Sequence, residues 1–394
     1  MAWAVCGTVA LHAQAKGHIC YISPLPVVQK AQSETSDYYT NYYKTATHPE
    51  EVEVIETDFN ANDVATLYLD SIKKVFQQFQ QPCVIRNFDQ KNAKSYMHDQ
   101  LYHVIDIDRQ YYENKFISES EKKAVLIYVI AHEYSHCMRG DAMYVPNSSR
   151  YTLYGRELEA DEEAGFALGK LTSVDIDFID RALPLILGKN ARTESHPDVI
   201  YRIIAVKCGW IRAKTADLPD QGTVTVGGRL YKKTFFKESN YSGQVTKDGV
   251  WDGPVEKKSS DLKSIYFYIN KAEKTTQTIE IISGDHIYMG NMLDGKRNDT
   301  GFVAIESGSW FYGSWLKNAP LAGEYHFANG DVYDGQYENQ EHSGWGMYTT
   351  KEGEVYIGRW NDGKKEGKGV LYKGKTVINQ GIWKNDEFCP DCKE

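Results

Sequence analysis

The sequence has few cysteines, no long apolar run and no excess of positive charge. Its 394 residues include 7 cysteines, too few for a scaffold held together by disulfides. The longest uninterrupted apolar run, residues 124–131, is far shorter than the ~20 residues of a membrane-spanning helix. The formal net charge is −9, and no basic stripe offsets it. The sequence therefore predicts no transmembrane span and argues against nucleic-acid binding.

Glycine and tryptophan are scarce in the first half of the chain. Residues 1–210 hold 8 of the 32 glycines and 2 of the 8 tryptophans, and residues 211–394 hold the others. One homogeneous fold would not divide its composition in this way. Hydrophobic residues make up 41% of the chain and glycine has no three-residue period, which excludes a disordered or collagen-like chain. We expect an α+β protein of two unlike parts that meet near residues 213–222.

The N-terminus begins with a short apolar run, residues 2–11, followed by the small residues Ala13 and Ala15 around Gln14. This pattern is typical of the h-region and cleavage site of a secretory signal, although the positively charged n-region is missing. We interpret residues 1–15 as a signal-peptide remnant, which predicts a periplasmic or secreted protein. The alternative is a frayed apolar end, and the protein would then be cytoplasmic.

Residues 62–107 combine one helical pattern with two β-type stretches. The spacing of apolar residues predicts an amphipathic helix over residues 62–81, which Pro82 ends. The stretches 83–85 and 104–107 are predicted to be neighbouring strands of a small sheet.

The most apolar helix is predicted over residues 124–138. Ser118 and Glu121 form a capping box before it, and Gly140 supplies a stop after it. Such an apolar helix belongs in a protein core. Three more helices are predicted over residues 154–170, 173–186 and 197–213. Pro197 suits the first turn of the last helix, where its missing N–H group is not needed.

The apolar helix contains an H-E-x-x-H pattern, residues 132–136. Residues four apart lie on one helical face, so the imidazoles of His132 and His136 can bind one Zn²⁺. Glu133 lies beside them, placed to take a proton from water. The alternative is a core helix with two satisfied histidines, but burying these groups without compensation would be costly. We expect one zinc ion per chain.

Zinc needs a third protein ligand, and the next predicted helix offers two carboxylates. Glu157 and Asp161 are four residues apart and share a helical face. One of them can bind the metal while the other orients a ligand histidine. A solvated acidic face is the alternative for this run, and we expect it for Glu159, Glu162 and Glu163.

His196 lies directly before Pro197, at the start of the last predicted helix. It is either a helix-capping residue or a group of the metal site. In the metal site it would stabilise a developing oxyanion or occupy the open coordination position. Its position in the sequence alone does not separate these roles.

Three segments, in order AHEYSHCMRGD, ELEADEEAGFALGKL and SHPDVIYRIIAVKCGW, together resemble the HtpX and CAAX-prenyl-protease superfamily of gluzincin metallopeptidases. The likeness is greatest to the soluble members of the bacterial cell envelope and covers about residues 80–212. It implies a mainly helical zincin-type metallopeptidase domain, which we place at residues 21–215. The implied activity is the hydrolysis of peptide bonds by zinc-activated water.

The resemblance also implies a role for each motif residue. It implies that His132, His136 and Glu157 are the zinc ligands and that Glu133 is the general base.

Around these ligands, the resemblance implies that Asp161 supports a ligand histidine and that Arg202 belongs to the same surrounding group. His196 would be a catalytic histidine that aids the transition state, or a residue that blocks the zinc. Ser135 departs from the glycine usual in the family, and Cys137 departs from its polar flank, which bears on specificity and leaves the ligands intact.

After residue 220 the pattern changes to short aromatic strands with regularly spaced glycines. These are Gly243, Gly290, Gly313, Gly335, Gly358 and Gly381. Their period is near 23 residues, and the first gap spans two periods with a degraded copy at residues 265–269. Such a period predicts an array of β-hairpins. We expect aromatic side chains to stack on one face while the glycines make the turns.

The segment YIGRWNDGKKEGKG, residues 356–369, resembles the MORN repeat. The resemblance implies an all-β MORN array, placed at residues 222–388, that serves as a docking surface for an envelope protein, a lipid or a glycan. The alternative is that its aromatic residues only pack against the next repeat. In the tail, residues 389–394, Cys389 and Cys392 form a C-x-x-C that is either a local disulfide or without a role.

The sequence thus predicts a zinc metalloendopeptidase that acts on protein or peptide substrates of the cell envelope, in quality control or processing. The alternative is a latent or inactive protease domain that serves as a MORN-based binding scaffold. A weaker third reading is a glycan-binding repeat fused to a peptidase.

Overall fold

The computed structural model describes residues 64–77, 83–87, 91–98, 102–139, 149–188, 192–193, 195–236, 238–259, 264–270, 275–282 and 285–392. All of them belong to one compact unit, Phe59–Glu394. The predicted signal remnant at residues 1–15 and the predicted stops at Pro82 and Gly140 lie outside the described residues.

Six helices are present among the described residues. They are α1 (Val64–Phe76), α2 (Arg109–Glu113), α3 (Glu119–Arg139), α4 (Arg150–Leu171), α5 (Ile176–Leu187) and α6 (Val199–Thr215). The predicted helices over residues 124–138, 154–170 and 173–186 are confirmed, with ends shifted by one to five residues. None of these helices is long and apolar enough to cross a membrane.

The start of α6 differs from the prediction. Pro197 lies before the helix, because Asp198 is the N-cap residue and its backbone, at φ −55° and ψ 142°, is not helical. Half of the predicted capping box before α3 forms, because Glu121 contacts the hydroxyl of Ser118 and not its backbone amide. The amide of Glu121 donates to Ser118 Oγ at 3.2 Å, and that hydroxyl donates to Glu121 Oε2 at 3.0 Å.

In the part of the chain that the structure describes, a small three-stranded sheet packs beside these helices. Its strands are β1 (Cys83–Asn87), β2 (Ala93–His98) and β3 (Tyr102–Ile107), in the order β1-β3-β2. The predicted neighbours β1 and β3 pair in parallel, which confirms that prediction. The antiparallel partner β2 was not predicted.

Among the described residues, a sixteen-stranded antiparallel sheet follows α6, and each of its strands pairs with its sequence neighbours. Its strands are β4 (Thr223–Val226), β5 (Arg229–Phe236), β6 (Ser239–Val245), β7 (Trp251–Ser259), β8 (Ser264–Asn270), β9 (Thr275–Ile282), β10 (His286–Leu293), β11 (Lys296–Ile305), β12 (Trp310–Leu316), β13 (Ala319–His326), β14 (Val332–Glu338), β15 (Glu341–Thr349), β16 (Glu354–Asn361), β17 (Lys364–Lys373), β18 (Thr376–Lys384) and β19 (Glu387–Cys389). Cys389 is disulfide-bonded to Cys392.

The expectation of a mainly helical metallopeptidase fold is wrong. The protein is α+β, and strand residues outnumber helical residues among those described. The strand content is high because consecutive strands of the large sheet are joined by very short turns, so most residues of this part of the chain lie in strands. Asp362 and Gly363, at φ 47° and 75°, form the two-residue turn between β16 and β17, a conformation that Asp-Gly adopts readily.

The glycines that define the repeat lie in the middle of strands, so the expectation that they make the turns is wrong. From Gly290 onward they pair with further glycines on the neighbouring strands, as Gly358 does with Gly369. The ring of Tyr356 covers this pair, and a Cβ atom added to Gly358 or Gly369 would lie 2.4 Å or 2.3 Å from its hydroxyl. Glycine is needed here because an aromatic ring crosses the backbone, not because the chain reverses.

The same arrangement recurs along the sheet. The rings that cover glycine pairs are those of Tyr288, Phe311, Tyr333 and Tyr356. The sequence period of the glycines is therefore the period of these rings. The aromatic residues pack against those of the next repeat, as Tyr333 does against Trp360, in agreement with the alternative given for the array.

The first strands of the large sheet pack on the helices. Tyr154 and Leu158 of α4 and Ile204 of α6 share one buried core with Ile287 and Phe302 of the sheet. We call β4–β12, Thr223–Leu316, the proximal sheet and β13–β19, Ala319–Cys389, the distal sheet. The buried cluster of the distal sheet, built on Tyr333, Tyr356, Trp360 and Trp383, contains no helical residue among those described.

Candidate metal centre

Two packed helices bring three ligand-type side chains together. Helix α3 supplies His132 and His136, one turn apart, and α4 supplies Glu157. The Nε2 atoms of the two histidines are 3.2 Å apart. Glu157 Oε2 lies 3.5 Å from His132 Nε2, and Glu157 Oε1 lies 3.4 Å from His136 Nε2.

These separations fit a tetrahedral zinc ion. Zinc binds histidine nitrogen and carboxylate oxygen at about 2.0–2.2 Å, which places two ligands of a tetrahedron about 3.3–3.6 Å apart. Glu157 Oε2 is also buried without a hydrogen bond, so an acceptor atom of the carboxylate beside His132 is available to a metal. The donor set of two histidines and one carboxylate is one that catalytic zinc sites use. The residues present therefore fit the metal.

Asp161 contacts His132 at the ring nitrogen that does not face the other ligands. Its fully buried carboxylate lies 3.0 Å from His132 Nδ1, so it favours the tautomer that leaves Nε2 free for a metal. Arg202 donates to the same carboxylate at 2.7 Å and 3.0 Å, and Tyr128 donates to it at 2.7 Å. Burial alone would raise the pKa of Asp161, but Arg202 and His132 lower it below its ordinary value, so the carboxylate stays charged.

Glu157 is also held in its charged form. Burial would raise its pKa, but the two histidines and Arg202 hold the pKa well below the ordinary value. Arg202 Nη2 lies 3.4 Å from Glu157 Oε2. The guanidinium of Arg202 thus supports both carboxylates of α4.

Glu133 is half-buried on α3, next to His132. It forms no hydrogen bond or ion pair with a described residue. Burial, and after it the charge of Glu133, raises the pKa of Tyr112. The carboxylate of Glu133 is therefore near α2, and its acceptor atoms are not taken up by a cation of the described structure.

His196 lies beside the third ligand, Glu157. Its Nε2 atom is 3.5 Å from Glu157 Oε2, and Ser195 Oγ is 2.7 Å from its Nδ1 atom. The side chain is about half-exposed. The helix-capping alternative is wrong, because the N-cap residue of α6 is Asp198. The structure therefore places His196 with the site and not with the helix end.

The expected solvated acidic face of α4 is wrong for Glu162. Its side chain is buried, and Lys258 of the proximal sheet and Arg212 of α6 lie 2.7 Å and 3.1 Å from its carboxylate. Glu159 and Glu163 are half-buried and ion-paired. These carboxylates join α4 to its neighbours, which leaves Glu157 and Asp161 as the pair that faces the histidines.

Sequence reasoning missed Tyr128. Its hydroxyl binds Asp161, and it lies four residues before His132, so it shares the face of both histidines. A tyrosine at this spacing in an otherwise aliphatic run was the available signal.

No family model matches the chain, and no curated protein matches it. The resemblances to gluzincin metallopeptidases and to MORN repeats stay predictions from the sequence motifs.

Proposed function

We propose that the protein is a zinc-dependent metalloendopeptidase that hydrolyses peptide bonds. The observation that carries the proposal is the triad of His132, His136 and Glu157, whose donor atoms have the separations of tetrahedral zinc ligands. Asp161 adds support, because a carboxylate behind a ligand histidine is a recurring part of such sites. We expect one zinc ion per chain.

The chemistry divides between the metal and the protein. Zinc in such a site polarises a scissile carbonyl and lowers the pKa of water. Glu133 would accept the proton of the attacking water and deliver it to the leaving amine. Its carboxylate is free of ion pairs with described residues, which suits a group that must gain and lose a proton.

His196 would donate a hydrogen bond to the oxyanion that forms on the attacked carbonyl. Its imidazole lies on the Glu157 side of the triad, with Nε2 3.5 Å from a ligand oxygen. A neutral imidazole held by Ser195 at Nδ1 presents its Nε2 atom to this side. Burial lowers the pKa of His196, which favours the neutral form at neutral pH.

The substrates would be proteins or peptides, and those of the bacterial envelope if residues 1–15 are a signal remnant. The distal sheet would be the docking surface for a protein, lipid or glycan partner. Its buried cluster contains no helical residue among those described, so its faces are not used to pack the helices.

The test combines metal analysis with proteolysis. Wild type, Glu133→Gln and the control Glu119→Gln are loaded with zinc, and casein cleavage is measured. Glu119 is an exposed residue in the first turn of the same helix. We expect one zinc in all three proteins and a loss of about 100-fold or more in Glu133→Gln alone. Equal cleavage by wild type and Glu133→Gln, or no bound zinc, would refute the proposal.

A latent protease that serves as a binding scaffold is the second candidate. It is favoured by the position of His196, whose Nε2 atom is 3.5 Å from the ligand carboxylate and would compete there with water for a bound metal. A His196→Ala variant with higher activity than wild type would support latency. A variant that is less active, or no more active, would argue against it.

A further inference from the structure

The segment that carries His196 is closed on itself by hydrogen bonds between Thr193 and His196. We call residues 192–193 and 195–198 the His196 loop. The amide of His196 donates to Thr193 Oγ1 at 3.0 Å, and the amide of Thr193 donates to the carbonyl of His196 at 2.9 Å. Wherever Thr193 is held, the backbone of His196 is held with it.

Helix α4 holds Thr193. The carbonyl of Thr193 accepts hydrogen bonds from the Tyr154 hydroxyl and from Arg150 Nη1, the latter at 3.2 Å. Tyr154 is fully buried and precedes the ligand Glu157 by three residues on the same helix. The loop is therefore tied to the element that carries the third metal ligand.

The proximal sheet holds the loop from the other side, through Arg192. The guanidinium carbon lies 4.2 Å from the ring centre of Tyr312, 4.4 Å from that of Phe302 and 6.0 Å from that of Trp310. These distances allow cation–π contacts with rings on β11 and β12. Arg150 adds a second such contact, 4.5 Å from the ring of Trp310.

The backbone of Arg192 completes the anchor. Its amide donates to Asp198 Oδ1 at 2.6 Å, so the residue that begins α6 closes the loop at its other end. The side chain of Arg192 thus contacts the proximal sheet, while its backbone amide is bound by Asp198, the N-cap residue of α6.

We propose that Arg192 is a positioning residue, which holds His196 at the metal centre by seating the loop on Phe302, Trp310 and Tyr312 of the proximal sheet. The catalytic consequence rests on the proposed function, whereas the anchor itself does not. The aromatic strands β11 and β12 are then part of the construction of the active site and not only of a docking surface.

The physical reason is the weak hold on the His196 side chain itself. The imidazole is about half-exposed, and Ser195, its neighbour in sequence, is its closest polar contact. Its placement therefore depends on the loop backbone. A displacement of about 1 Å at such a group can cost up to 100-fold in rate.

The first test needs no activity and no metal. Amide hydrogen exchange of the His196 loop is measured by mass spectrometry in the full chain. Arg192→Ala and Tyr312→Ala remove the two sides of one contact, while Arg192→Lys and Tyr312→Phe keep a cation and a ring. Arg359→Ala is the matched control, because Arg359 lies 5.9 Å from the ring of Trp345 in the distal sheet. Tyr312 is 41% exposed, so its replacement should leave the fold intact.

We expect the loop to exchange at least about tenfold faster in Arg192→Ala and Tyr312→Ala, because both release the hydrogen bonds of Thr193 and His196. Arg192→Lys, Tyr312→Phe and Arg359→Ala should stay within about twofold of wild type. Unchanged exchange in Arg192→Ala, or equal acceleration in Arg359→Ala, would overturn the anchor.

The second test is a double-mutant cycle on the zinc-loaded enzyme. Arg192→Ala should lower kcat by about 10-fold to 100-fold with KM within about twofold, and Arg192→Lys should recover most of the loss. In a His196→Ala background, Arg192→Ala should have no further effect, because the group that it positions is gone. Additive losses would overturn the positioning role.

The two proposals fail in different ways. If His196→Ala and Arg192→Ala both raise activity by the same factor, positioning is supported and the latent protease is favoured. If the zinc-loaded wild type cleaves nothing while the exchange pattern is as expected, the anchor is supported and the proposed function is refuted.

Discussion

The proximal and distal sheets are built from one kind of repeat and pack their aromatic residues against different neighbours. In the proximal sheet Phe302 lies 5.4 Å from Tyr154 of α4, inside a core shared with the helices. In the distal sheet Tyr356 lies 5.3 Å from Trp360 and 5.1 Å from Trp383, all within the sheet. The comparison shows that one strand pattern can either pack against helices in a shared core or form a self-contained core of its own.

The largest expected effect is a loss of stability that distinguishes the core shared with the helices from the core of the distal sheet. Phe302→Ala and Tyr356→Ala each remove a fully buried ring, and each should lower the free energy of unfolding of its own region by about 3–5 kcal/mol. Phe302→Ala should also weaken zinc retention, because its core includes the helix that carries Glu157. Tyr356→Ala should leave zinc retention unchanged.

This prediction is checked by hydrogen exchange resolved along the chain, together with zinc titration of both variants. Loss of zinc in Tyr356→Ala would show that the distal sheet also supports the candidate metal centre. This result would contradict the claim that only the proximal sheet does so.

The second prediction concerns the support of His132. Asp161→Asn should lower zinc affinity by about 10-fold to 100-fold, because a neutral amide no longer fixes the imidazole tautomer as a carboxylate does. Zinc competition with a chelator measures the change. Asp334→Asn, an exposed substitution in the distal sheet, is the control and should bind zinc as wild type does. Unchanged affinity in Asp161→Asn would contradict the role given to Asp161.

The third prediction tests whether the glycine pairs serve the same purpose in both sheets. Gly301→Ala and Gly369→Ala add a Cβ atom within 2.7 Å of a tyrosine ring and should each destabilise the protein by about 1–3 kcal/mol. Gly155→Ala in α4 meets only Ile287, at 3.5 Å, and should be neutral or slightly stabilising. Denaturant unfolding compares the three. A neutral Gly369→Ala would remove the explanation of the repeat period.

The smallest expected effect is a pH dependence confined to the distal sheet. His342 stacks on Tyr333 with ring centres 3.6 Å apart, and burial lowers its pKa to about 4. The unfolded chain has a histidine pKa of about 6.5 and so binds the proton first as the pH falls. The stability due to neutral His342 is therefore fully present above about pH 6.5 and is lost as the pH falls toward 4.

After allowance for solvent screening, this loss should be about 1–2 kcal/mol. It is measured as the difference in thermal unfolding between wild type and His342→Gln from pH 7.5 to 4.5. The stability difference should shrink as the pH falls. A constant difference over this range would show that His342 does not titrate in the way that its surroundings require.

The grouping of the candidate ligands could be predicted from the sequence because the spacing within each helix is local. His132 and His136 are one helical turn apart, and so are Glu157 and Asp161, so helical periodicity alone puts each pair on one face. The small sheet's parallel pair and most helices followed from the same kind of local pattern. The fraction of helical residues was overestimated. The strands of the repeats are long because short turns join them, and the sequence pattern did not show how short these turns are.

What the sequence could not show depends on long-range contacts. Glu162 was expected to be solvated because its partner Lys258 is 96 residues away. The role of the repeat glycines depends on strand register, which sets which residue lies under Tyr356. The contact of Arg192 with Phe302 joins residues more than 100 positions apart, and no local pattern marks it.

X-ray absorption on the zinc-loaded full chain tests the central claim most directly. We predict one zinc per chain with nitrogen and oxygen neighbours at about 2.0–2.2 Å, two of them imidazoles, and loss of this signal in Glu157→Ala. Sulfur neighbours at about 2.3 Å, which the buried pair Cys83 and Cys137 could supply, or no stoichiometric zinc at all, would contradict the account.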